Sequence, residues 1–126
     1  MTDPVTLTFP AHARNVALAR SLAAAMSARA DLPIDQLEDV RLAVDEAVSQ
    51  LILSARPDAA VTCTFTVTTV GLDVVVSAPT TSAEPPPTDT FSWTVLRALV
   101  DSVTADVAEG TVTLALAVER HAAVDV

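Results

Sequence analysis

The sequence predicts an α+β fold, a two-layer sandwich in which a mixed, mostly antiparallel sheet carries three helices on one face. Three patterns predict it. Apolar and polar residues alternate strictly in several short runs, apolar stripes at helical spacing fill longer segments, and one proline-rich stretch suits neither. The order is β, α, α, β, β, loop, α, β, β, and stacking the helices on one face of the sheet buries both sets of apolar side chains economically.

Val5, Leu7 and Phe9 alternate with Thr6 and Thr8, the period of a half-buried strand, and Pro10 ends it. From Ala11 to about Ala30 the chain is Ala-rich, and Val16, Ala19, Ala23 and Met26 fall on one helical stripe. Pro33 separates this helix from a second, where Asp35 followed by Glu38 resembles a capping box and suits the helix dipole. Leu37, Val44, Val48, Leu51 and Ala55 give its apolar face, with Asp39, Arg41, Asp45 and Ser49 largely off it; Pro57 closes it. Val61, Cys63, Phe65 and Val67 then alternate with threonines, and Gly71 turns the chain into Leu72, Val74, Val76 and Ala78, a predicted hairpin. Four prolines in residues 79–90 deny both helix and central strand. Trp93, Leu96, Val100 and Val103 make the last helical stripe, Thr104 to Val118 reads as two strands around Glu109-Gly110, and the tail from His121 to Val126 is expected to fray. Residues 1–126 are expected to form one domain with a lid-like loop at 79–90.

Hydrophobic residues make up 51% of the 126 and charged ones 18%, a balance that supports a packed core. With aromatics at 3% and no Tyr, Ala, Val and Leu must build that core. The net charge of -9 argues against binding nucleic acid, whose affinity comes largely from cationic neutralisation of phosphates. All seven basic residues are Arg, which excludes lysine-dependent chemistry. A basic protein partner fits this charge better. No run of residues approaches the ~20 apolar positions of a membrane span, so a soluble, cytoplasmic protein is expected.

Several chemistries fall away on residue types alone. Cys63 is a single cysteine, which rules out an intrachain disulfide and a Cys-cluster metal site, and its place on an apolar strand face gives no sign of activation. His12 and His121 have no ligand partners at metal spacing. Gly71 and Gly110 sit between strands, so no glycine-rich phosphate cradle exists. Glu46 and Gln50 project from one side of the second helix at i, i+4, a spacing that by itself describes a solvated polar face. Trp93, on the Leu96 and Val100 stripe, reads as a core anchor, and Arg20 as a solvated helix residue.

The segment LPIDQLEDVRLAVDEAVSQLI at 32–52, preceded by LTFPA and by LAR at 18–20, resembles the actinobacterial anti-sigma factors of the RsbW type. FSWTVLRALVDSV at 91–103, followed by the strand TVTLALAV, is similar to the closing third of the same proteins. The resemblance runs in order from Leu7 to about Arg120. It implies the ATP-binding (Bergerat-type) fold shared with histidine kinases, gyrase and Hsp90. It also implies sequestration of an alternative sigma factor, usually by a homodimer, in transcription regulation and stress response, with serine phosphorylation of an anti-anti-sigma partner in active kinases. Glu46 falls on the family's N-box glutamate, Gln50 on its magnesium-holding asparagine, and Arg20 on an arginine that touches the sigma factor and the antagonist.

Three departures bear on the nucleotide. Ser77, Ala78 and Pro79 stand where active members read adenine with an aspartate-glycine pair, and Thr90, Phe91 and Ser92 where a glycine-rich turn wraps the phosphates. Gln50 carries its oxygen one methylene further out than asparagine. The first two losses are expected to weaken nucleotide binding by an amount on the order of 1 to 3 kcal/mol each. The expectation is therefore an anti-sigma factor that captures a sigma factor by surface contact, is released by an anti-anti-sigma antagonist and has weak or lost ATP binding. The alternative is an active serine-protein kinase that uses ATP and Mg, with Glu46 as general base and Gln50 as metal ligand.

Overall fold

A computed structural model describes residues 3–121, so of the tail expected to fray only His121 lies within the described residues. Five strands and three helices follow the expected order: β1 (Val5–Pro10), α1 (Val16–Arg29), α2 (Ile34–Ser54), β2 (Ala60–Val67), β3 (Gly71–Pro79), α3 (Phe91–Leu99), β4 (Ser102–Ala108) and β5 (Thr111–Glu119). The sheet runs β1-β2-β3-β5-β4, and each of these neighbouring pairs is antiparallel, the limiting case of the mostly antiparallel sheet expected.

One face of the sheet is apolar because the alternation holds in register across strands. Phe9, Val61, Cys63, Phe65, Leu72, Val74, Val76, Leu114 and Leu116 are buried on it together with the helices' inner stripes. The opposite face displays Thr6, Thr8, Thr62 and Thr64, and Thr6–Thr64 and Thr8–Thr62 make cross-strand hydroxyl bonds at 3.2 Å.

Helix boundaries follow local chemistry. A single 3-10 turn at Ala13–Asn15 leads into α1. At its far end Asp31 takes a left-handed φ of 56°, Asp31 N donates to Ala28 O and Leu32 N to Ser27 O, which is a Schellman cap closed by aspartate instead of glycine. The capping box expected for the second helix does not form: Pro33 is the N-cap, no side chain caps it, and Glu38 instead accepts from Arg41 at 3.0 Å. The buried face of α2 is Gln36, Val40, Ala43, Val44, Ala47, Val48 and Leu51; Leu37 is only half-buried, and Ala55 lies past the last helical residue. Val103 belongs to β4 rather than to the last helical stripe, because α3 ends at Leu99 and the extended Val100 starts the path into the strand.

The two glycines act for different reasons. Glu109 and Gly110, at φ 52° and 75°, form the two-residue turn between β4 and β5, and a left-handed pair suits that hairpin. Gly71 is the first residue of β3, and the turn itself is stitched by Thr68, whose Oγ1 accepts from Gly71 N at 2.9 Å. What Gly71 answers is crowding: a Cβ there would sit 1.9 Å from Val118 O.

Gln36 and Arg120 lock the end of β5 to the first turn of α2 and to the C-terminal end of α1. The buried Gln36 Nε2 donates to Glu119 O at 2.7 Å, its Oε1 accepts from His121 N at 3.0 Å, and the Arg120 guanidinium donates twice to Ala30 O.

Two stability predictions follow from these contacts. Gly71→Ala forces backbone to move and is expected to cost more than the about 1 kcal/mol that a left-handed alanine costs in Gly110→Ala, where the space is open; urea unfolding of the two variants orders them. Gln36→Ala strands a carbonyl and an amide and is expected to lower stability by about 1–3 kcal/mol in the same assay.

Candidate functional site

The inner stripe of α2 fixes that helix's rotation and so fixes what its flanks present. On one flank Asp45 faces α1, and its Oδ2 accepts from Arg20 Nη1 at 2.6 Å while Oδ1 accepts from Ser49 at 3.4 Å. Gln50 comes five residues later, about 140° further round a helix of 3.6 residues per turn, and it faces the proline-rich segment instead.

There Gln50, Leu53 and Ser54 of α2 meet Thr80, Glu84 and the Pro85–Pro87 run around a cavity of about 340 Å³. The segment is anchored at its base. The buried Thr80 donates from Oγ1 to Ser54 O at 3.0 Å and from its amide to Gly110 O at 2.8 Å, and Arg56 N donates to Pro79 O at 3.1 Å. Beyond that base the chain from Thr81 to Pro85 is exposed.

The predicted site residues therefore separate. Gln50 reaches the cavity; Glu46, one turn back, is half-buried and is not part of the cavity wall; Arg20 lies against α1's neighbour on the other flank. Residue order alone could place Glu46 and Gln50 together, but it gave no signal for Asp45 as the partner of an arginine 25 positions away, nor for Thr80 as the anchor of the loop.

An adenine nucleotide does not fit the groups present. Ser77, Ala78 and Pro79 are strand residues paired with Thr113, Val112 and Thr111, with Ala78 buried, so these three offer a base neither a carboxylate nor a flexible turn. Thr90 uses its hydroxyl to cap its own helix by accepting from Trp93 N at 3.2 Å, and the bulky Phe91 stands 82% exposed at the first position of α3. The one ionisable group in the cavity wall is Glu84, a carboxylate that repels a triphosphate.

Other chemistries are answered by burial. Cys63 is fully buried on the core face of β2, and desolvation pushes its thiol from 9.0 up to about 12. No group of three or more potential metal ligands is found among the described residues, and among them no helix is long and apolar enough to cross a membrane.

Residues 9–116 match the Histidine kinase-like ATPase domain family, and the chain belongs to that family. Over 99 residues it is 38% identical to the anti-sigma-F factor RsbW of Mycobacterium tuberculosis, strain CDC 1551 / Oshkosh, and equally to that of strain ATCC 25618 / H37Rv. The aligned part is 79% of this chain, and the chain spans 59% of the length of these relatives. The structure's antiparallel sheet and three helices agree with the family's α+β fold.

The thiol gives a direct test of packing. Because the folded state raises its pKa above the unfolded 9.0, the neutral thiol favours folding below about pH 9, and that contribution is lost as pH rises from 9 toward 12. A disulfide-exchange reagent at pH 8 is expected to leave Cys63 unlabelled in the native protein and to label it once in denaturant.

Proposed function

We propose that the chain is an anti-sigma factor: it sequesters an alternative sigma factor by direct protein contact, is released by an anti-anti-sigma antagonist, and has weak or lost ATP binding. The observation that carries this reading is the 38% identity to two proteins named anti-sigma-F factor. The reading places partner contact at Arg20, treats residues 1–126 as one domain acting in the cytoplasm in stress-related transcription control, and takes the working form to be a homodimer.

Sequestration needs a rigid surface and no chemical step, and the packed α1–α2 pair supplies one. The 16 acidic residues against 7 basic ones support long-range steering of a partner with basic helices, an effect on association rate that salt screens.

The rival reading is an ATP-dependent serine-protein kinase acting on an anti-anti-sigma factor. What favours it is Gln50 in the cavity wall, where an amide oxygen could take the place of a metal-holding asparagine; Glu46, the base in this reading, lies one turn back and outside that wall. Against it stand Glu84, the paired Ser77–Pro79 strand and the self-capped α3.

Two measurements separate these readings. Against purified alternative sigma factors of the genome that encodes the chain, together with the sigma-F protein of Mycobacterium tuberculosis, the chain is expected to capture at least one in a Mg-ATP-free buffer. Arg20→Glu is expected to weaken that capture tenfold or more. In a thermal-shift titration with millimolar Mg-ATP no stabilisation is expected, whereas a ligand at 100 times its Kd would add about 2.7 kcal/mol. Capture of none, or an unchanged affinity for Arg20→Glu, refutes the sigma reading or the face; a clear shift revives the kinase.

A further inference from the structure

The structure assigns Asp45 a role beyond the ion pair itself: it is the positioning residue that holds Arg20 ready for the partner. This rests on the proposed function and deepens it, since it names how the recognition arginine is presented.

Among the described residues, Arg20–Asp45 is the ion pair that joins two different elements; the other, Arg41–Glu38, lies within one helix turn. The geometry explains why an aspartate serves. Ala19 and Ala23 of α1 and Ala43 and Ala47 of α2 are completely buried, small side chains that let the two helices pack closely enough for a short carboxylate to reach across. Asp45 itself accepts from Ser49 through its second oxygen, which restrains the carboxylate on its own helix.

The arrangement leaves Arg20 usable. Its side chain is 40% exposed and that of Asp45 34%. Only Nη1 is engaged with Asp45, so of the guanidinium's five N–H donors four remain for an incoming carbonyl or carboxylate. A free arginine loses much rotamer freedom on binding, and an arginine already oriented loses less. A half-exposed pair adds little to folding, so the benefit falls on recognition.

The test is a double-mutant cycle on Arg20→Ala and Asp45→Ala with the sigma factor captured above, plus 15N relaxation of the Arg20 side-chain Nε in the unbound protein. Asp45→Ala is expected to fold with a nearly unchanged melting temperature, weaken binding about tenfold, and lose nothing further when Arg20 is already Ala. Asp45→Glu, which keeps the charge, is expected to recover part of the affinity. Arg20 Nε is expected to be restricted in the wild type and mobile in Asp45→Ala. Additive losses in the cycle, or equal Arg20 mobility in both proteins, overturn the assignment while sigma binding stands. Failure of the wild type to bind any sigma factor overturns the functional reading and this inference with it.

Discussion

The burial of one α2 stripe, Val40, Ala43, Val44, Ala47, Val48 and Leu51, is the constraint from which the rest of the molecule follows. Each of these side chains is at most 1% exposed, and α2 packs on α1, on α3 and on the sheet. With aromatics at 3% of the sequence, the core is filled mostly by Val, Leu and Ala around Phe9, Phe65, Trp93 and Met26, and such a close-packed core tolerates little rotation before voids or overlaps appear. The helix is therefore held at one angle. Asp45 is thereby held toward Arg20, and Gln50 toward the proline-rich segment, without either residue contributing much to the packing.

Alternation made the strands legible, because a threonine at every second position leaves one register that buries Val61, Cys63 and Phe65 and exposes Thr62 and Thr64. Boundaries set by long-range contacts were not legible. Val103 continues the spacing of Trp93, Leu96 and Val100, yet pairing with Leu116 pulls it into β4. Gly71 reads as a turn glycine, and only the approach of Val118 O, 47 positions away in the chain, shows why a side chain is barred. Nothing in the spacing of α2 marks Gln36 as buried, yet it is, with its amide bonded twice to the end of β5. The same division holds at the site. Spacing places Glu46 and Gln50 on one side of α2, while the partner of Arg20 is a fact of how two helices pack.

This division bears on how, on the proposed reading, a member of a family built around a nucleotide could act without one. The residues that differ from the nucleotide-using pattern are satisfied locally in another way. Ser77 to Pro79 extend β3 and pair with β5, Thr90 caps α3, and Thr80 ties the proline-rich segment to Ser54. None of these contacts draws on the inner stripe of α2, so the core does not register the change. A surface presented by α1 and α2 depends on that stripe and on the buried α1 side chains, Ala19 and Ala23 among them, that pack with it. On the proposed reading, partner capture and nucleotide binding are thus physically separable in this fold: the pocket side can be rebuilt by strand pairing and capping while the Arg20–Asp45 side, on the other flank of α2, keeps its geometry through helix packing.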